Sequence, residues 1–164
     1  MSLLYRKGNL IDLAEAGEFD AIVHGCNCQN VMGSGIAKEL RTRYPKTYEV
    51  DTLATKTWKI PVAKLGSFST YGTVGKQSPF IIINAYTQLH YLPRGIDHFE
   101  YESFYIILRK LAEMPNCRFG FPHIGMGLAG GDSARIIPML KDFATRIEPL
   151  GSTATLVEYQ PSEG

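Results

Sequence analysis

The segment Asp20–Cys26 constrains the fold more than any other part of the chain. Its run Ala21, Ile22, Val23 is apolar at successive positions. Successive strand residues face opposite sides, so such a run suits a strand in a sheet covered on both faces. Leu3 to Arg6 reads as a strand before it, with a turn-rich connection between the two. After it, IAKELRTRY places Ile36, Leu40 and Tyr44 at helical spacing, and Pro45 ends that helix. Residues Lys46 to Lys56 suggest another short helix. Leu65 to Tyr71 and Phe80 to Ala85 read as paired strands joined by the turn sequence GTVGKQSP.

The spacing further on predicts a long amphipathic helix over His98 to Met114, buried through Tyr101, Phe104, Tyr105, Leu108 and Leu111. Cys117 to Phe121 follows as a core strand. A further helix starts at Asp132, a capping residue, and ends before Pro149, with Pro138 marking a kink or a division. Thr153 to Tyr159 completes the set as a strand. Strands alternating with helices indicate a three-layer α/β/α domain around a mixed, mostly parallel sheet.

Size and charge narrow the function classes. A chain of 164 residues, 45% hydrophobic and 20% charged, suits one globular domain. A net charge of +1, with basic residues scattered, gives no field to attract nucleic acid, so nucleic acid is not indicated as a partner. No stretch approaches the roughly 20 apolar residues that span a bilayer, and MSLLYRKGNL lacks a signal-peptide core. Cys26, Cys28 and Cys117 do not suggest a disulfide framework. The expectation is a cytoplasmic protein with no membrane partner.

Two glycine-rich loops each join a strand to a helix: Asn27 to Gly35, and Gly125 to Gly131. Glycine lets the backbone approach a phosphate, and free amides at a helix start favour negative charge. Two such cradles in one domain suit a diphosphate. Gly125-Met126-Gly127-Leu128-Ala129-Gly130 matches the dinucleotide pattern GxGxxG, but a Rossmann domain carries it after the first strand, and here one helix and one strand remain. Neither loop has the Lys-Ser or Lys-Thr of a triphosphate-binding loop.

Gly8-Asn9-Leu10, then DAIVHGCNCQNVMGSGIAKELRTRYP, then PHIGMGLAGGD resemble the macro-domain family, in its order and over nearly the whole chain, which makes residues 1–164 a single macro domain. HGCNC with MGSGIA and RYPK is similar to the fungal ADP-ribose 1″-phosphate phosphatases, in the branch that also holds the terminal ADP-ribose glycohydrolases. The resemblance implies that Gly8, Asn9 and Leu10 lie by the adenine, where the family usually has Asp in place of Asn9, and that Tyr159 is an aromatic near that base. It implies that Asn27 bonds the distal ribose. Met32, Gly33, Ser34, Gly35 and Ile36 would form the first phosphate loop, and Ile124, Gly125, Met126, Gly127, Leu128, Ala129 and Gly130 the second. Two departures stand out. Ala129 replaces an aromatic that packs on the distal ribose, and Gln88, in NAYTQLHY, stands where the glycohydrolases carry a nucleophilic lysine.

The implied ligand is ADP-ribose or ADP-ribose 1″-phosphate, free or as an ADP-ribosylated protein, and the implied activity is release of the 1″-phosphate without cofactor or metal. His24 is the first catalytic candidate, as acid or base beside the ribose loop, and its bland alternative is a buried strand histidine. Asn27 would orient the ribose, and Asp132 would position water, although capping suits it better. His123 is a third titratable candidate. His24, Cys26 and Cys28 lack the second ligand pair of a zinc site, and neither Cys26 nor Cys28 is followed by the arginine of a cysteine phosphatase. Two alternatives stay open: a non-catalytic ADP-ribose-binding module, and a lysine-independent ADP-ribosyl hydrolase.

Overall fold

A computed structural model of the chain describes residues 3–73, 78–93, 96–127 and 129–161. In chain order the elements are β1 (Leu4–Gly8), α1 (Leu10–Glu15), β2 (Ala21–Asn27), α2 (Gly35–Arg43) and α3 (Lys46–Trp58). After a 3-10 turn (Pro61–Lys64) come β3 (Phe68–Gly72), β4 (Ile81–Gln88), α4 (Tyr101–Leu111), β5 (Arg118–Phe121), α5 (Ser133–Ile147), a second 3-10 turn (Glu148–Leu150) and β6 (Thr153–Tyr159).

The six strands form one sheet in the order β1-β6-β5-β2-β4-β3. Every neighbouring pair is parallel except β3 with β4. Helices cover both faces, giving the three-layer α/β/α architecture expected. On one face Ala21 and Val23 of β2 pack with Phe104, Leu111, Ile136 and Phe143 of α4 and α5. On the other, Ile22 packs with Leu10, Ile11 and Ala14 of α1 and Leu40 of α2. The successive apolar residues of β2 thus serve two cores. No helix of the described residues is long and apolar enough to cross a membrane.

Several expectations need correction. The turn-rich connection after β1 is the helix α1, whose first amides, Ile11 N and Asp12 N, are capped by the Asn9 side chain. The α4 helix starts at Tyr101, since residues before it are extended, and Tyr105 is 46% exposed while Ile107 is fully buried. Positions 104, 107, 108 and 111 make the inward stripe, and Tyr105 turns outward to accept a bond from Arg109. Helix α3 runs two residues past Lys56, and α5 passes through Pro138 as one helix. Of the GTVGKQSP connection, residues 74–77 lie outside the described residues.

Candidate binding cleft

Because five strands run parallel, their carboxyl ends, Gly8, Tyr159, Phe121, Asn27 and Gln88, lie along one edge of the sheet. Ligands of open α/β sheets bind outside that edge. The pairing of β2 with β4 slips there, with Cys26 opposite Tyr86 but Asn27 opposite Gln88. This bulge at Thr87 re-aims the strand end at the cleft.

The first loop is held by its own side chains. Asn27 Oδ1 accepts from Gln29 N at 3.0 Å and Val31 N at 3.3 Å, and Nδ2 donates to Val31 O at 2.9 Å. Cys28 and Met32 anchor the loop in a small core with Cys26 and Tyr86. Asn30 docks it on α3 through Thr52. What remains outside is Gly33, Ser34 and the first turn of α2. Ser34 occupies the cap position without a side-chain cap bond, and Gly35 takes φ +58 with open space where a Cβ would stand. The amides of this turn therefore face the cleft without a side-chain partner, as an anion site requires.

The second loop leaves β5 through Pro122 and folds on itself, with Gly130 N donating to Gly127 O and Gly131 N to Gly125 O. Gly125 and Gly130 both have φ +74. A Cβ on Gly125 would enter the Phe99 ring, and one on Gly130 would meet the Ile96 carbonyl. Glycine is required at both for close packing of backbone on its surroundings.

Between the loops lies a cavity of about 370 Å³, and beside it a slot of about 390 Å³ that shares Gly35, Ile36 and Pro122 with it. The cavity is bounded by Asn27, Gly33, Ser34, Gly35 and Ile36 on one side and Ile124, Gly125, Gly127 and Ala129 on the other. The slot is bounded by Gly8, Asn9, Leu10, Val157 and Tyr159. Most of the residues singled out from sequence are thus brought together on one continuous cleft. Leu128 lies outside the described residues.

Five of them are not. Met32 is 1% exposed and belongs to the core beneath the loop, and Met126 packs against the core under α4 and α5. Gly130 shapes the second loop without bounding the cavity. Asp132 caps α5, its carboxylate accepting from Ala134 N at 2.9 Å, so its oxygen serves the helix. His24 is fully buried: it shares a face of β2 with Cys26, one pair of residues further from the strand end, and does not bound the cavity.

His24 belongs instead to a polar network under α3. Its Nε2 lies 2.6 Å from Asn84 Oδ1, and Asn84 Nδ2 donates to Thr47 O and Ser69 Oγ. Ser69 Oγ contacts Tyr86 OH, which donates to Asp51 Oδ1 at 2.8 Å. The buried Lys64 ammonium donates to Asp51 at 3.0 Å and Thr55 at 2.7 Å. Burial holds the His24 imidazole below its ordinary pKa, with Asn84 and Asp51 opposing, so the neutral ring is favoured. Burial likewise pushes the Cys26 thiol well up and the Cys28 thiol to about 11, which leaves no thiolate nucleophile there at neutral pH.

Gln88 and His123, both noted in the sequence, bound the cavity, and the cleft also includes two residues that no pattern marked, Tyr91 in the cavity and Glu39 in the slot. Among the described residues no three His, Cys, Asp or Glu side chains gather closely enough to hold a metal ion.

No protein-family model matches the chain. An uncharacterized 17.5 kDa protein from the tk-vs intergenic region of Enterobacteria phage T4 is 31% identical over 166 residues, covering 98% of this chain and 99% of its own. A DNA ADP-ribosyl glycohydrolase of Mycobacterium tuberculosis is 27% identical over 131 residues, 79% of this chain but 35% of that protein, so the chain spans about a third of its length. An ADP-ribose 1″-phosphate phosphatase of Ajellomyces capsulatus is 44% identical over 39 residues, 24% of this chain and 15% of its own.

Among solved structures, a Bacteroides thetaiotaomicron protein of unknown function superposes with TM-score 0.81 at 21% identity, covering 96% of this chain and 98% of its own. The macrodomain of Mycobacterium tuberculosis DarG gives 0.70 at 24%, covering 98% of each. Thermosipho africanus DarTG, in complex with ADP-ribose, gives 0.72 at 16%, covering 92% of this chain and 40% of that one. At these identities the likeness is one of fold.

Proposed function

The chain has the macrodomain fold, and from that premise we propose that its cleft binds ADP-ribose and releases the phosphate of ADP-ribose 1″-phosphate. The observation that carries the reading is the continuity of two glycine loops along the carboxyl ends of β2 and β5, with an apolar slot at one end. The diphosphate takes the amides of Gly33 to Ile36 and of Gly125 to Gly127. The purine enters the slot by Tyr159, and the distal ribose lies toward Asn27 and Gln88. Asn27 acts chiefly by fixing the loop, since its carboxamide is already bonded to that loop.

In the hydrolysis, water adds to phosphorus, the bond from phosphorus to the 1″ oxygen breaks, and a proton passes from water to that oxygen. Amides aimed at the phosphoryl oxygens stabilise the charge that develops. This reading assigns no chemical step to His24, which is buried, or to Asp132, whose Oδ1 caps α5. Gln88 at the strand end is no nucleophile, so a covalent lysine route is absent from this reading. A second reading, removal of ADP-ribose from DNA without a lysine, is favoured by the 27% identity to the mycobacterial DNA ADP-ribosyl glycohydrolase.

The test incubates the protein in chelator with ADP-ribose 1″-phosphate and, separately, with ADP-ribosylated DNA, alongside a calorimetric titration with ADP-ribose. Equal yields of phosphate and ADP-ribose support the phosphatase. Release from DNA alone transfers the assignment to the second reading. Binding without turnover makes the cleft a recognition module, and no binding at all refutes the ligand.

A further inference from the structure

The slot contains a carboxylate with one uncommitted oxygen. Asn9 Oδ1 accepts from Ile11 N at 2.9 Å and Asp12 N at 3.0 Å, so both its lone pairs are used by α1. Asn9 Nδ2 gives one hydrogen to Glu39 Oε1 at 3.1 Å. Arg43, one turn along α2, donates to the same Oε1 at 3.0 Å while also pairing with Asp12 and Glu15. Glu39 is thus held through one oxygen from two directions. Its Oε2 has no hydrogen-bond partner among the described residues, and the side chain bounds the slot. The second Nδ2 hydrogen of Asn9 has no acceptor among the described residues, and Asn9 bounds the same slot. Leu10, Ile36, Val157 and Tyr159 supply apolar walls of the kind a flat heterocycle needs.

We infer that Glu39 is the base-selecting residue of this cleft: its Oε2 accepts the exocyclic amino group of adenine while Asn9 Nδ2 donates to a neighbouring ring nitrogen. Adenine presents a donor beside an acceptor, whereas a 6-oxo purine puts a carbonyl oxygen in place of the amino group. With the pose fixed by the bond to ribose, that oxygen would face the Glu39 carboxylate, acceptor against acceptor. Sites built to pair a polar group reject analogues that leave it unpaired. The inference rests on the ADP-ribose reading of the cleft.

The experiment compares calorimetric affinities for ADP-ribose and its hypoxanthine counterpart in the wild-type protein, Glu39→Gln and Asn9→Ser. The wild type is expected to prefer ADP-ribose by about tenfold to a hundredfold. Glu39→Gln keeps an oxygen for Asn9 and Arg43 but puts an N–H₂ donor where Oε2 stood, so the preference should vanish or invert. Asn9→Ser keeps the cap and removes the donor, so it should weaken ADP-ribose binding while leaving ADP-ribose preferred. Equal wild-type affinity for both ligands overturns the assignment of Glu39 and leaves the ADP-ribose reading standing. So does a wild-type ratio retained in Glu39→Gln. Binding of neither ligand by the wild type overturns both. If Glu39→Gln fails to fold, the wild-type ratio and Asn9→Ser decide: a ratio that collapses in Asn9→Ser gives selection to Asn9 instead.

Discussion

Gly33 and Gly127 allow the phosphate role of the loops to be separated from their folding role. A Cβ added to Gly33 meets only Val31 Cγ1, at 3.8 Å, and one added to Gly127 meets nothing within 4 Å. Neither residue has a positive φ. Alanine at either position should therefore leave stability unchanged or raise it by about 0.4–1 kcal/mol, through the unfolded chain. Ligand binding should respond differently, because a methyl group keeps phosphate oxygens from the adjacent amides. Two lost hydrogen bonds to a charged group, at about 1.5–3 kcal/mol each, bring the loss to on the order of 3 kcal/mol. That is about a hundredfold in Kd. Gly125→Ala makes the opposite control: its φ of +74 and the Phe99 ring in its path should cost about 1–3 kcal/mol of folding stability before any ligand is added. Urea denaturation measures the folding side and calorimetry with ADP-ribose the binding side. If Gly33→Ala and Gly127→Ala stay folded and bind ADP-ribose within about twofold of wild type, the loops are not an amide cradle.

Lys64→Met should cost about 3–5 kcal/mol in urea denaturation, because it leaves the buried Asp51 carboxylate without its counter-charge, and adding Asp51→Asn should recover part of the loss. His24 has a depressed pKa in the folded state, so the unfolded chain binds the extra proton as pH falls below the ordinary histidine value. Stability should be full above about pH 6.5 and fall on acidification by up to about 1.4 kcal/mol per pH unit, and His24→Gln should flatten that slope. Turnover per folded molecule should survive that substitution; a His24→Gln protein that is folded but inert would put the imidazole back into the chemistry. Asp132→Ala should lose about 1 kcal/mol of stability from the missing cap while retaining turnover, and a stable but inactive variant would contradict the capping assignment.

The fold was legible where a local pattern and its boundary coincide. Thr153–Tyr159 is a strand as read, since a run of successive buried residues, Ala154 to Val157, begins just after the turn at Gly151, whose φ is +76. Helix α1 escaped notice because six residues carry little periodicity, although Asn9 ahead of Leu10, Ile11 and Ala14 has the form of a capped start. The glycine loops were visible for the same local reason. His24 is the harder case, because its place three residues before Asn27 says nothing about burial, and the structure puts it in the buried strand position that its bland alternative describes. Glu39 could not be found from pattern. Its role depends on α2 lying over the start of α1, and its partner Asn9 is thirty positions away in the chain.

The three hydrogen bonds that Asn27 makes within its own loop bear on how quickly a ligand is taken up. A loop already closed on itself before the ligand arrives has little left to order, so complex formation should be one encounter rather than an encounter followed by a rearrangement. In a stopped-flow experiment the observed rate should then rise linearly with ligand concentration, with no plateau from a slow isomerisation. Asn27→Ala would release the loop. The slower, saturating phase it should introduce would be the time the backbone needs to find the shape that the wild-type carboxamide holds in advance.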